Sequence, residues 1–226
     1  MDYTKPSIEV DFLPVGEGSR SADTIAIRYG DILSGDRDKQ KVIVIDGGTK
    51  ESGASLVKHI KNHYNTNVVD LVVMTHPDTD HCSGLTEIME SLTVRKLWMH
   101  QPWNHSADIR KLFSDGRMTD NSLENHIRVG LDAAHKVEAI ALQKGIDIVE
   151  PFAGLKTDDG VITVLGPDED YYKNLIPEFR STPDSVESKT ESFIAKAIKL
   201  ITEAFDLSDE KLPGGNTSAE NDSSAI

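Results

Sequence analysis

The sequence predicts an α/β fold, one compact unit in which helices cover a sheet, and three observations carry that expectation. KVIVIDGG (41–48) and VVDLVVMT (68–75) are short apolar, β-branched runs, the pattern of strands buried on both faces. Between them Leu56, Val57, Ile60 and Tyr64 recur at helical spacing after a Ser52/Ser55 start, which completes a strand, helix, strand unit. No repeat of fixed period is visible, which argues against a solenoid.

The remaining elements follow in chain order. Residues 6–13 and 22–29 alternate or cluster β-branched residues around Gly16-Glu17-Gly18, so they read as a hairpin-like pair. One long helix is expected over 121–144, where Leu123, Ile127, Leu131, Ala134, Val137 and Ala141 keep the 3.6 period and Gly145 stands at the C-terminal cap position. Short strands are expected at 146–149 and 161–166. A last helix over 190–205 would bury Phe193, Ile194, Ala197, Ile198, Ile201 and Phe205 along one face. Residues 208–226 are polar, Gly/Pro-bearing and aperiodic, a composition that buries too little apolar surface to offset ordering. The expected organisation is a domain over 1–207 followed by a mobile polar loop over 208–226.

Composition narrows the function. Thirty-eight acidic against 24 basic residues leave a net charge of −14, a field that repels nucleic acid and anionic lipid. A general polyanion binder is excluded unless a local patch or a bound cation reverses that field. The single cysteine, Cys82, makes no internal disulfide, and the N-terminus shows neither a basic start nor an apolar run, so a cytoplasmic setting is expected. No stretch reaches the roughly 18 apolar residues of a membrane span, so no membrane partner is expected.

The chemistry is concentrated in Thr75-His76-Pro77-Asp78-Thr79-Asp80-His81-Cys82-Ser83-Gly84-Leu85, directly after a buried strand. His76, Asp78, Asp80 and His81 are four metal-competent side chains within six residues, and a turn leaving a strand end can aim several of them into one concavity. Pro77 restricts the backbone there, and Gly84 permits a close approach as the next helix begins. Asp, Thr and Pro are also ordinary turn residues, and Asp or Ser caps helices. That plainer account explains the aspartates but not two histidines at the same turn.

HPDTDH after a VVMT strand resembles the His-x-His-x-Asp-His signature of the metallo-β-lactamase superfamily, in the variant whose second histidine is Asp. FLPVGEG (12–18), VIVIDGG (42–48) and VITVLGP (161–167) look like further strands of that superfamily, and the nearest-looking subgroup is typified by the hydrolase domain of the bacterial DNA-uptake channel protein. The resemblance spans most of 6–167. It implies an αββα sandwich of which the sequence supplies the N-terminal half to two-thirds, because the later bridging Asp and final His of the superfamily are not found. A natural protein reaching beyond Ile226, or one that has lost its second half, is the expectation that follows.

By the same resemblance, His76 and Asp78 hold one divalent metal ion, Asp80 and His81 hold a second, and Asp80 orients the attacking water as a catalytic residue. Such ions generate hydroxide from water and polarise the scissile group. With Asp78 in place of a histidine, the first site becomes harder and more anionic, so Mn²⁺ or Fe²⁺ competes better with Zn²⁺. The expected activity is hydrolysis of a small or short phosphodiester; a thioester or lactam hydrolase and a catalytically incomplete binding or regulatory protein are the alternatives. An incomplete sandwich would expose the inner face of its sheet, so a second copy or another partner is expected to cover it.

Weaker signals complete the reading. Asp46 ends VIVIDGG, where the resemblance puts it near the metals, and either hydrogen-bonds a ligand histidine or caps a turn. His100 and His105 are candidates for a substrate-contacting rim, or histidines of an aromatic-rich loop that only satisfy hydrogen bonds. His59 and His63 stand four apart on a helix, a spacing able to bind metal, but the sequence implies no neighbouring ligand, and they read as solvated. His126 and His135 flank an apolar stripe as boundary residues. Cys82 lacks a basic neighbour and reads as a packed side chain. Gly16-Glu17-Gly18 lacks the rest of a dinucleotide fingerprint.

Overall fold

A computed structural model describes residues 7–15, 22–113 and 117–179. The expected helix over 190–205 and the polar segment 208–226 lie outside the described residues. In chain order the strands and helices are β1 (Ser7–Phe12), β2 (Ile25–Gly30), β3 (Gln40–Ile45), α1 (Lys50–Asn62), β4 (Val68–Val69), β5 (Leu71–Val73), α2 (Thr79–Ser91), β6 (Thr93–Val94), β7 (Lys96–Trp98), α3 (Ser106–Ile109), α4 (Asp120–Gly130), α5 (Asp132–Lys144), β8 (Asp147–Val149) and α6 (Glu169–Leu175).

Six strands form one sheet in the order β1-β2-β3-β5-β7-β8, antiparallel across its first three members and parallel across the rest. β4 and β6 make a separate parallel pair. The apolar runs of β3 and β5 are buried on both faces, as their lack of alternation requires. Ala26, Val42, Val44, Val72 and Leu97 point to the helical side and pack with Leu56, Ile60, Leu85, Ile88 and Ala141 in the larger core. On the opposite face Ile43, Leu71, Val73 and Trp98 pack against Val164, with Leu155 and Ile162 at the margin.

Three expectations about elements change in detail. The run 68–75 is divided by Asp70, whose carboxylate accepts from the backbone N–H of Val42 at 2.9 Å and from Arg37 at 2.9 Å. The helix expected over 121–144 is two helices that break at Leu131 (φ −111°, ψ 40°), directly after Gly130, a weak helix former. Residues 161–166 join no strand of the six-stranded sheet. They fold back on 155–157 through a turn with Gly160 at φ +70°, closed by Val164 N–H to Leu155 O at 2.8 Å, and lie across the sheet face instead. That segment covers the middle of the face. At the β1 edge, Ile8, Val10 and Phe12 are exposed, in register with Tyr29, Ile27 and Ile25. Among the described residues no helix is long and apolar enough to cross a membrane.

Candidate metal centre

The site lies at the end of β3 and β5, where α2 begins. Thr49 caps α1 through its hydroxyl, which accepts from Ser52 N–H at 3.3 Å, so the chain passes from β3 to α1 in the short loop 46–49. α2 lies directly on that loop. Gly84 N–H donates to Gly48 O at 2.9 Å, Gly47 N–H donates to His81 O at 2.8 Å, and a Cβ added at Gly84 would stand 1.9 Å from Gly47 O. Only glycine permits this backbone contact, and the contact brings the 76–81 turn against Asp46.

Asp46 has φ +53°, a left-handed conformation that is uncommon outside glycine and tolerated best by Asn and Asp. Its buried carboxylate is a hub. Oδ1 accepts the Thr75 N–H at 2.8 Å, while Oδ2 accepts the Thr75 hydroxyl at 2.5 Å and lies 3.0 Å from His81 Nδ1. The Thr75 oxygen is in turn 2.8 Å from His76 Nδ1. Each ring therefore donates from Nδ1, His81 directly to Asp46 and His76 through the Thr75 hydroxyl, and each neutral ring carries its lone pair on Nε2. The two imidazoles, both buried, have centroids 3.9 Å apart.

Ligand atoms of Asp46, His76 and His81 all fall within 4.8 Å of one another, a group able to hold a metal ion. Burial, then the neighbouring His81, lowers the pKa of His76 against the pull of Asp46, Asp78 and Asp80. His81 goes the other way: burial opposes its charge, but the hydrogen bond and charge of Asp46, with help from Asp80, raise its pKa.

The sequence profile of the metallo-β-lactamase superfamily matches residues 36–179, more than half of the chain and the whole of this site. The chain belongs to the metallo-β-lactamase superfamily. Its central sheet with flanking helices is consistent with the metallo-β-lactamase fold. A search of curated proteins finds no match.

Within this metallo-β-lactamase domain the other sequence candidates are distributed unevenly. Asp78 stands at the N-cap of α2 without a side-chain capping bond, its Oδ2 3.9 Å from His76 Nε2. Asp80 is half-buried in the first turn of α2, and its charge acts on both rings. Cys82 is fully buried, and burial pushes its thiol up to about 12, which fits packing and not nucleophilic chemistry.

His100 and His105 sit in an aromatic cage with Phe152 and Tyr172. His105 Nε2 is 3.1 Å from both oxygens of Glu150. His100 stacks on Tyr172 at 4.2 Å, finds no hydrogen-bond partner among the described residues, and is pushed by burial down to about 3. It is a neutral ring. Thr75 is the participant that sequence reasoning left without a role; a hydroxyl beside a strand-end histidine was its signal.

A groove of about 590 Å³ opens next to the motif, between the start of α2 and α5, with Pro77, Thr79 and Ser83 on one side and Leu131 on the other. Its charges are mixed, Lys50 and Lys136 against Glu87, Glu90 and Asp132.

Proposed function

We propose that the chain is a metal-dependent hydrolase whose centre is built on His76, Asp78, Asp80 and His81, with Asp46 behind them. The observation that carries this reading is the shared anchoring of two buried imidazoles by one carboxylate, which engages both rings through Nδ1 and leaves Nε2 as the donor atom each would offer a metal. Imidazole nitrogen with nearby carboxylate oxygen suits a divalent transition metal, Zn²⁺, Mn²⁺ or Fe²⁺, so the residues fit the group. When bound, one or two such ions would acidify water and polarise the scissile bond.

The chain's own residues do the rest. His76 and Asp78 would hold one ion, and His81 and Asp80 would hold the second. Asp46 keeps the rings from turning, directly at His81 and through Thr75 at His76. Asp80 orients the attacking water and accepts its proton on a carboxylate oxygen.

A phosphodiester is the substrate this reading favours, because the 76–81 stretch resembles a subgroup with a nuclease-like domain. The mixed charge of the neighbouring groove and the net charge of −14 favour a short substrate over a long polyanion. The test is turnover of bis(p-nitrophenyl) phosphate, a chromogenic thioester and a chromogenic lactam by the protein supplied with Mn²⁺ or Zn²⁺. Phosphodiester turnover that disappears in Asp80→Asn and His76→Ala is expected. Turnover of the lactam or thioester alone overturns the substrate, and metal binding without any turnover overturns the enzyme.

A further inference from the structure

At the C-terminal end of α1, a second set of metal-competent side chains is assembled from two elements far apart in the chain. His59 lies in the last turn of α1 and His63 is its C-cap residue, four positions on, with ring centroids 4.9 Å from each other. The edge strand β1 brings two carboxylates to them. Asp11 Oδ2 lies 3.0 Å from His59 Nε2, and Glu9 Oε1 lies 2.8 Å from His63 Nε2. Ligand atoms of Asp11, His59 and His63 all fall within 4.8 Å of one another. The expectation that these histidines are merely solvated thus gives way once β1 is placed. From sequence alone, nothing links residues 9–11 to residues 59–63.

We propose that Asp11, His59 and His63 form a second divalent transition-metal site, one that takes Zn²⁺ and clips β1 to α1. Two imidazoles at i, i+4 plus a carboxylate are a borderline donor set, matched to Zn²⁺ and not to Ca²⁺ or Mg²⁺. A tetrahedral ion with bonds of about 2.1 Å needs ligand atoms about 3.4 Å apart, so the observed group closes on an ion by small rotamer adjustments. The carboxylate is already oriented: the Tyr64 hydroxyl donates to Asp11 Oδ2 at 2.6 Å. Arg28 holds the far oxygen of Glu9, its Nε at 2.9 Å from Oε2, which leaves Oε1 directed at His63. His63 is half exposed, so an ion reaches the site from solvent, and the remaining coordination positions go to water or to Glu9.

The clip has a structural purpose. β1 is an edge strand with Ile8, Val10 and Phe12 exposed, and among the described residues β2 is its one strand partner. An ion held by Asp11, His59 and His63 would reinforce the attachment that the Asp11–His59, Glu9–His63 and Tyr64–Asp11 contacts already make from the helical side, and would stabilise the folded state by mass action.

The test strips the full chain with a chelator and titrates it with Zn²⁺ alone. Metal content is read by elemental analysis after dialysis, and each histidine's reactivity by diethyl pyrocarbonate labelling and mass spectrometry. Zn²⁺ should protect His59 and His63, and should still do so in His76→Ala/His81→Ala. In His63→Gln, an exposed change that keeps a donor for Glu9, zinc affinity at this site should fall about tenfold or more, since even groups behind a ligand cost 10–100-fold. Labelling of His59 and His63 that ignores Zn²⁺, or zinc content that ignores His63→Gln, overturns the site. Protection of His76 and His81 is read in the same sample, so each centre can fail alone. If the double variant does not fold, the comparison of the unaltered chain with His63→Gln decides.

Discussion

Asp46 Oδ2 lies 3.0 Å from His81 Nδ1, and the same oxygen accepts the hydroxyl of Thr75. One buried carboxylate thereby sets the tautomer of one imidazole directly and of the other through a single relay. Asp46→Asn removes the charge and puts an amide where an acceptor is required. Zinc affinity at the 76–81 cluster should fall about 10–100-fold, as is usual when the group behind a ligating histidine is lost. Competition with a chromophoric chelator measures it; unchanged affinity would remove Asp46 from the metal centre.

Thr75 tests the relay separately. Thr75→Val keeps the shape but loses the hydroxyl that joins His76 Nδ1 to Asp46. His76 then has no fixed tautomer, whereas His81 keeps its direct bond. Metal affinity should drop by about tenfold, less than for Asp46→Asn. The nitrogen resonances of the two rings should differ in response, with the His76 ring moving and the His81 ring largely unmoved.

Gly84 fixes how closely α2 approaches the Asp46 loop. An alanine Cβ there would stand 1.9 Å from Gly47 O and 2.5 Å from Thr49 O, both backbone atoms that cannot rotate away. Gly84→Ala should cost about 3 kcal/mol or more, at the upper end of overpacking, and should weaken metal binding by moving His81 off Asp46. Gly35→Ala is the comparison. It has φ +69° and nothing within 4 Å, so it should cost only the left-handed penalty of about 1 kcal/mol. Equal melting temperatures for the two variants would refute the close-packing argument.

The uneven legibility of the sequence has the same physical root. β3 and β5 are readable because their apolar runs are local, α1 because its periodicity is local, and the 76–81 cluster because four ligand residues fall within six positions. Asp46 is visible in the sequence as the carboxylate that follows the β3 run, but the hydroxyl relay is not, since it depends on the rotamer of Thr75. The Asp11, His59 and His63 group is invisible in sequence because it joins an edge strand to a helix about fifty residues away. The segment 161–166 has the composition of a strand, yet pairs locally because Gly160 turns it back on 155–157. The break at Leu131 fell inside an unbroken apolar stripe, where only Gly130 marks it.

Asp70 supplies a pH dependence. Its half-buried carboxylate is opposed by desolvation, but the Val42 N–H, Arg37 and Lys41 together hold its pKa below the usual carboxylate range. A depressed carboxylate contributes stability that is fully present above its unfolded pKa, near 3.9, and is lost as pH falls through the folded value. Asp70→Asn should therefore destabilise the chain by about 2 kcal/mol at neutral pH, less than a fully buried ion pair because Asp70 retains some solvent contact. The gap between the two proteins in urea unfolding should narrow below about pH 4. A gap independent of pH would mean that Asp70 acts through shape and not through charge.

Cys82 gives the simplest check on how tightly α2 is seated. Its thiol is fully buried, 3.7 Å from the Pro77 carbonyl, and burial together with the nearby aspartates pushes its pKa up to about 12. At pH 8 almost no thiolate exists in the folded chain, and no reagent reaches the sulfur without α2 lifting from the sheet. Modification by a disulfide reagent should be slow in the native protein and fast in denaturant, with a native rate that follows the opening of α2. Gly84→Ala should accelerate it, because the same helix is then displaced from Gly47. A native thiol that reacts as readily as free cysteine would show that α2 does not hold the 76–81 turn in place, and the arrangement of His76 and His81 around Asp46 would lose its support.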